Sequence, residues 1–149
     1  PEGAAYIITS LLVSAVQNGT GKKVKVLNRP VAGKTGTTND FVDAWFMGFT
    51  PELVTGVWVG KDKDEPLGLN ETGSRTAIPI WLEYMQEVLR GKPKRNFPIP
   101  EDVVLIKINP ETGKRVNFGD PQAEFEVFLQ SHLPERATGR ANLITEHNF

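Results

Sequence analysis

Residues 29–40 read Arg29-Pro30-Val31-Ala32-Gly33-Lys34-Thr35-Gly36-Thr37-Thr38-Asn39-Asp40, and two apolar runs follow, Asp43 to Thr50 and Leu53 to Gly60. Val31 to Thr37 is expected as a strand closed by a turn at Thr38-Asn39-Asp40. In the second run Ala44 and Phe46 alternate with Trp45, Met47 and Phe49, and the third carries Leu53, Val57 and Val59 against Val54 and Trp58. Strands apolar on both faces are expected inside a sheet covered on both sides. Thr50-Pro51-Glu52 places proline at the favoured second position of a tight turn. Links this short demand antiparallel neighbours in the order first, second, third.

Outward from that sheet, residues 4 to 17 are expected as a helix. Ile8, Leu11, Leu12, Ala15 and Val16 form one apolar stripe, and Gly19 is suited to a left-handed position after its end. Lys22 to Arg29 is a basic loop with room for a short strand at Val24 to Leu27. Beyond a polar loop from Lys61 to Arg75, a second helix is expected from about Thr76 to Arg90. Its stripe is Ile78, Trp81, Leu82, Met85 and Leu89, with Gly91 and Pro93 ending it. Trp45, Trp58 and Trp81 are all expected to pack in the core. Val103 to Ile108 and Arg115 to Phe118 are expected to pair as a hairpin around Asn109-Pro110-Glu111-Thr112-Gly113. The fold class is α+β: an antiparallel sheet with helices packed on it. The expected division is 1–97, a hairpin extension over 98–130, and a flexible tail over 131–149.

Composition narrows the function by exclusion. A formal charge of −1 offers no electrostatic case for nucleic acid or an anionic membrane surface. No apolar run of about 18 residues exists that could span a bilayer, so no membrane contact is expected of this segment. Zero cysteines remove disulfides, thiolate catalysis and cysteine-ligated zinc. His132 and His147 lack partners at ligand spacing, so no metal is expected, and no cofactor is implied.

Chemistry concentrates at Gly33 to Thr38. Two glycines weaken a ladder, and in strands they often mark a close approach by a ligand or another backbone. One cation and three hydroxyls stand around them. Lys34 as a point charge and Thr35 and Thr37 as hydroxyl donors suit an anionic ligand. The plain alternative is a solvated edge strand whose lysine discourages aggregation. Gly33-Lys34-Thr35 also matches the end of the phosphate-binding pattern G-x-x-x-x-G-K-[ST]. That pattern requires glycine where Asn28 stands and a helix starting at the lysine, which Gly36 and Asn39-Asp40 oppose.

The stretch Arg29 to Asp40, followed by Asp43-Ala44-Trp45-Phe46, resembles the bifunctional class A penicillin-binding proteins. Gly48-Phe49-Thr50-Pro51, Gly56-Val57-Trp58-Val59-Gly60, Glu71-Thr72-Gly73 and Ala77-Ile78-Pro79-Ile80-Trp81 extend the resemblance across residues 4 to 90. Lys34-Thr35-Gly36 is similar to the third active-site motif of that family and of the serine β-lactamases. The resemblance implies acyl transfer through a serine. The serine attacks the penultimate D-alanine carbonyl of a peptidoglycan stem peptide ending D-Ala-D-Ala, releasing the last D-alanine, and an amine from a neighbouring peptide then takes the acyl group. β-Lactam antibiotics acylate the same serine. It further implies a catalytic Lys34 that supplies charge and helps proton movement. Thr35 and Thr37 would bind the substrate carboxylate, Gly36 would give room, and the Thr37 N–H would contribute to the oxyanion hole.

The chain departs from the family in lacking Ser-x-x-Lys after Ser10, Ser14, Ser74 or Ser131, and Ser-x-Asn or Tyr-x-Asn anywhere. It also opens Pro1-Glu2-Gly3 without methionine. The expectation is a C-terminal piece of a longer transpeptidase, inactive alone. Its nucleophile, any glycosyltransferase domain and the anchor holding it outside the cytoplasmic membrane would then lie upstream. The alternative is a non-catalytic accessory or binding domain of the same fold.

Overall fold

The computed structural model describes residues 1–117 and 119–137 and divides the chain into two compact units, Pro1–Pro100 and Glu101–Phe149. The part of the expected tail from residue 138 onward, and Phe118, lie outside the described residues.

In the first unit, β1 (Ala32–Thr37), β2 (Ala44–Phe49) and β3 (Val54–Val59) form an antiparallel sheet in the order β1-β2-β3, as the short links require. The register pairs Lys34 with Met47, Thr35 with Phe46 and Gly36 with Trp45, and Trp45 in turn with Trp58. Thr50 closes the second link, its N–H donating to the Leu53 carbonyl at 2.9 Å.

The core lies on one face of this sheet. Phe46 is fully buried against Trp81 of helix α2 (Ile78–Val88), ring edge to ring face at 5.2 Å and 89°. Trp81 also donates its indole N–H to the Thr55 carbonyl at 3.0 Å, which satisfies its polar atom inside the core. Gly48 makes the room: a Cβ there would stand 2.7 Å from the Phe46 ring and 2.8 Å from the Trp81 ring. Val16, Val24, Val31, Ala77, Ile78, Met85 and Leu89 complete the cluster. The α2 stripe expected from the sequence is therefore the one that packs. Its start differs, because Gly73–Ala77 forms a π-type turn ahead of the α-helix. Past its end Gly91 takes φ +72°, and Arg29 donates to the Leu89 and Lys92 carbonyls at 3.3 and 3.2 Å.

Four expectations need correction in this unit. The second face of the sheet is open: Trp45, Met47, Val54 and Trp58 are 43–64% exposed among the described residues, so two of the three tryptophans are not core. Helix α1 (Glu2–Gln17) buries only Gly3 and Val16, while Ile8 and Leu11 of its stripe face outward. Lys22–Leu27 is a 3₁₀ helix rather than a strand. The alternation Lys-Val-Lys-Val suggests period two, but Val24 and Leu27, three apart, are the pair that turns inward, which suits three residues per turn. Gly19 does not take a left-handed conformation. It is needed because a Cβ would lie 2.7 Å from the Ala15 carbonyl oxygen.

In the second unit, the full ladder of β4 (Val103–Ile108) is antiparallel with β5 (Glu124–Leu129), and of the expected hairpin partner only a short contact at Arg115 and Val116 forms among the described residues. Arg115 makes single bridges, to Ile108 and to Arg136. The turn between is as expected: Asn109 Oδ1 accepts from the N–H groups of Glu111 and Thr112, and Gly113 takes φ +66°.

Candidate functional site

Strand alternation divides the chemistry of β1. Lys34 and Gly36 share a face with Met47, Trp45 and Trp58, whereas Thr35 and Thr37 share the opposite face with Phe46 and Ala44. β1 pairs with β2 along one side, and no other strand among the described residues borders it. A ligand that meets both the cation and the hydroxyls must therefore lie along this edge, not on either face.

Each residue singled out from the sequence has a definite setting. Lys34 is exposed, and its Nζ donates to the Thr35 carbonyl at 2.9 Å. No carboxylate among the described residues pairs with it. Gly36 is half-buried, and a Cβ there would crowd the Trp45 Cβ at 3.2 Å. Thr37 is exposed and accepts a hydrogen bond from the Gly73 N–H at 3.2 Å. Thr35 is half-buried, its hydroxyl 2.6 Å from that of Thr20.

Two residues in this setting were not anticipated from the sequence. Gly73 fits where a side chain cannot, since its Cβ would stand 2.2 Å from the Trp45 carbonyl oxygen and 2.8 Å from that of Gly36. Thr20 lies fourteen residues before Lys34, in a Gly19-Thr20-Gly21 triplet that marks a tight bend but not its neighbour. Immediately beyond the strand, Thr38 holds the turn by accepting from the Asp43 N–H at 2.8 Å. Asp40 and Phe41 both take φ +57° there. Among the described residues no cluster of histidine and carboxylate side chains could hold a metal.

The arrangement can bind an anion and pair with an extended backbone. It presents a cation, two hydroxyls and a strand edge.

A curated relative, penicillin-binding protein 1A of Pseudomonas aeruginosa, is 44% identical over 131 residues, covering 87% of this chain. The chain belongs to the penicillin-binding protein 1A family. The relative of the same name from Aquifex aeolicus is 47% identical over 111 residues, 74% of this chain. The crystal structure of penicillin-binding protein 1A from Haemophilus influenzae superposes with a TM-score of 0.82 at 34% identity, over 90% of this chain and 21% of that one. The α+β class expected from the sequence is thus the fold of this family. The chain spans 16% and 15% of the lengths of the two curated relatives. No family model matches it.

Proposed function

We propose that this chain forms the Lys-Thr-Gly wall of a serine-type D-Ala-D-Ala transpeptidase, part of a protein that cross-links peptidoglycan outside the cytoplasmic membrane. The observation that carries the reading is the division of β1, with Lys34 on one face, Thr35 and Thr37 on the other, and an unpaired edge between them. Such an edge suits an extended stem peptide that adds itself as a strand, main chain to main chain. Its terminal carboxylate would meet the two hydroxyls, and Gly36 leaves the backbone approachable. Membership of the penicillin-binding protein 1A family supports a role in peptidoglycan synthesis and the binding of β-lactams at the same place.

The nucleophile in this reading is a serine activated by a lysine outside the 149 residues. Its Oγ attacks the penultimate D-alanine carbonyl carbon. The peptide C–N bond breaks, and terminal D-alanine leaves as the amine with the proton. An acceptor amine then displaces the serine oxygen from the ester, and the serine regains a proton. Lys34, bearing no ion pair with a carboxylate among the described residues, contributes positive potential to these proton transfers. A glycosyltransferase domain and a membrane anchor belong to the rest of the protein. Within the described residues no helix is long and apolar enough to cross a membrane.

Labelling with a fluorescent penicillin tests this reading. The protein as encoded is expected to label covalently, the Lys34→Met variant to label far more slowly, and the 149-residue chain alone not at all. Labelling of the chain alone at one of its own serines would overturn the assignment of the nucleophile. Undiminished labelling of the lysine variant would overturn the role of Lys34.

A further inference from the structure

Beyond the residues of the motif, the hydroxyl of Thr20 has one hydrogen-bond partner among the described residues, the hydroxyl of Thr35 at 2.6 Å. The bend that carries it is tightly built. The N–H groups of Gly19 and Gly21 both donate to the Ala15 carbonyl, at 3.1 and 3.2 Å, so the residue between them is fixed to the end of α1 from both sides. A Cβ on Gly19 would stand 2.7 Å from that carbonyl oxygen, and one on Gly21 3.2 Å from the Val16 Cα. Glycine on either side lets the chain close on the helix end, and Thr20 is the one side chain of the triplet, directed at β1.

We propose that Thr20 is a positioning residue, whose hydroxyl holds that of Thr35 as a ready donor to the ligand's carboxylate. The proposal rests on the reading of Thr35 as a carboxylate-binding group. A hydroxyl has one proton to give and two lone pairs to receive. An ionised carboxylate can only accept, so when one sits at Thr35 the Thr35 proton points to it. The bond to Thr20 then runs in one direction, with Thr20 donating. A hydroxyl that already accepts is polarised into a stronger donor. Thr37 is prepared in the same way from another element, since the Gly73 N–H occupies its acceptor side at 3.2 Å and leaves its proton available. Two hydroxyls of one strand are thereby set as donors by two groups that do not touch the ligand.

The experiment compares acylation of the protein as encoded by benzylpenicillin and by its methyl ester, which lacks the anionic carboxylate. Thr20→Val is expected to slow reaction with the acid by about three- to tenfold, to leave the ester rate and the melting temperature unchanged, and Thr20→Ser to restore the acid rate. Thr20 is exposed, so the valine variant is expected to fold. An equal loss with acid and ester, or no loss with the acid while Thr35→Val shows one, overturns the positioning role and leaves Thr35 standing. No loss in Thr35→Val overturns the carboxylate reading beneath it.

Discussion

Gly73→Ala joins the fold to the site and can be worked from distances. The added Cβ would stand 2.2 Å from the Trp45 carbonyl oxygen and 2.8 Å from the Gly36 carbonyl oxygen. Both are backbone atoms of paired strands, so neither can rotate away as a flexible side chain would. Ordinary separation demands that the turn before α2 retreat by roughly 1 Å, in a packed interior that resists such shifts. Overpacking of this kind costs about 1–3 kcal/mol. The retreat also stretches the 3.2 Å bond from the Gly73 N–H to the Thr37 hydroxyl past useful length, adding about 0.5–1.5 kcal/mol. The expected total, roughly 1.5–4.5 kcal/mol, is a large share of the 5–15 kcal/mol that holds a typical domain together. Denaturant unfolding should show it as a lower midpoint at unchanged slope. Gly119→Ala is the control, because nothing lies within 4 Å of its Cβ position, and it should stay within about 0.5 kcal/mol of the parent. A Gly73→Ala variant as stable as that control would refute the close approach itself. Acylation should fall alongside stability, since Thr37 loses the group that orients it.

Thr37→Val in the protein as encoded should slow acylation by carboxylate-bearing β-lactams, by an amount equivalent to about 1.5–3 kcal/mol, and should lower stability by about 0.5–1.5 kcal/mol, because the Gly73 N–H loses its acceptor. Unchanged acylation rates would remove this hydroxyl from the carboxylate site. The tryptophans should separate by burial: Trp81→Ala, fully buried, should cost about 3–5 kcal/mol. Trp45→Ala, at 43% exposure, should cost clearly less in the 149-residue chain. Equal losses in chemical unfolding would contradict the one-sided core.

The sheet was legible because Thr50-Pro51-Glu52 and Thr38-Asn39-Asp40 leave no room for a crossover, so order and direction followed from loop length. The α2 stripe was legible because Ile78, Trp81, Met85 and Leu89 have a single face to share. The second face of the sheet was not. Trp45, Met47 and Trp58 carry the hydrophobicity of covered residues, and composition cannot say whether the cover is supplied by the same 149 residues. The β4 partner is hard to read for a different reason. Asn109 to Gly113 is a sound turn, and the apolar residues after it suggest a continuing strand. Among the described residues Arg115 alone bridges Ile108, with Val116 donating once to Lys107, before Gly119-Asp120-Pro121 intervenes. The full ladder falls to Glu124–Leu129, which sequence spacing placed too far away. In the site, Lys34, Thr35, Gly36 and Thr37 could be singled out from residue types, but their division between two faces needed the register. Thr20 and Gly73 emerge only in the folded chain, since a glycine chosen for closeness looks the same as one chosen for a turn.

The close packing over Gly48 has an evolutionary consequence. Its missing Cβ is the volume that the Trp81 and Phe46 rings occupy, at 2.8 and 2.7 Å. Position 48 on a strand and position 81 on a helix therefore cannot drift independently. A lineage that acquires alanine at 48 is under pressure to shrink or displace the rings at both 46 and 81. Positions 48 and 81, 33 residues apart in the chain, should change together or not at all.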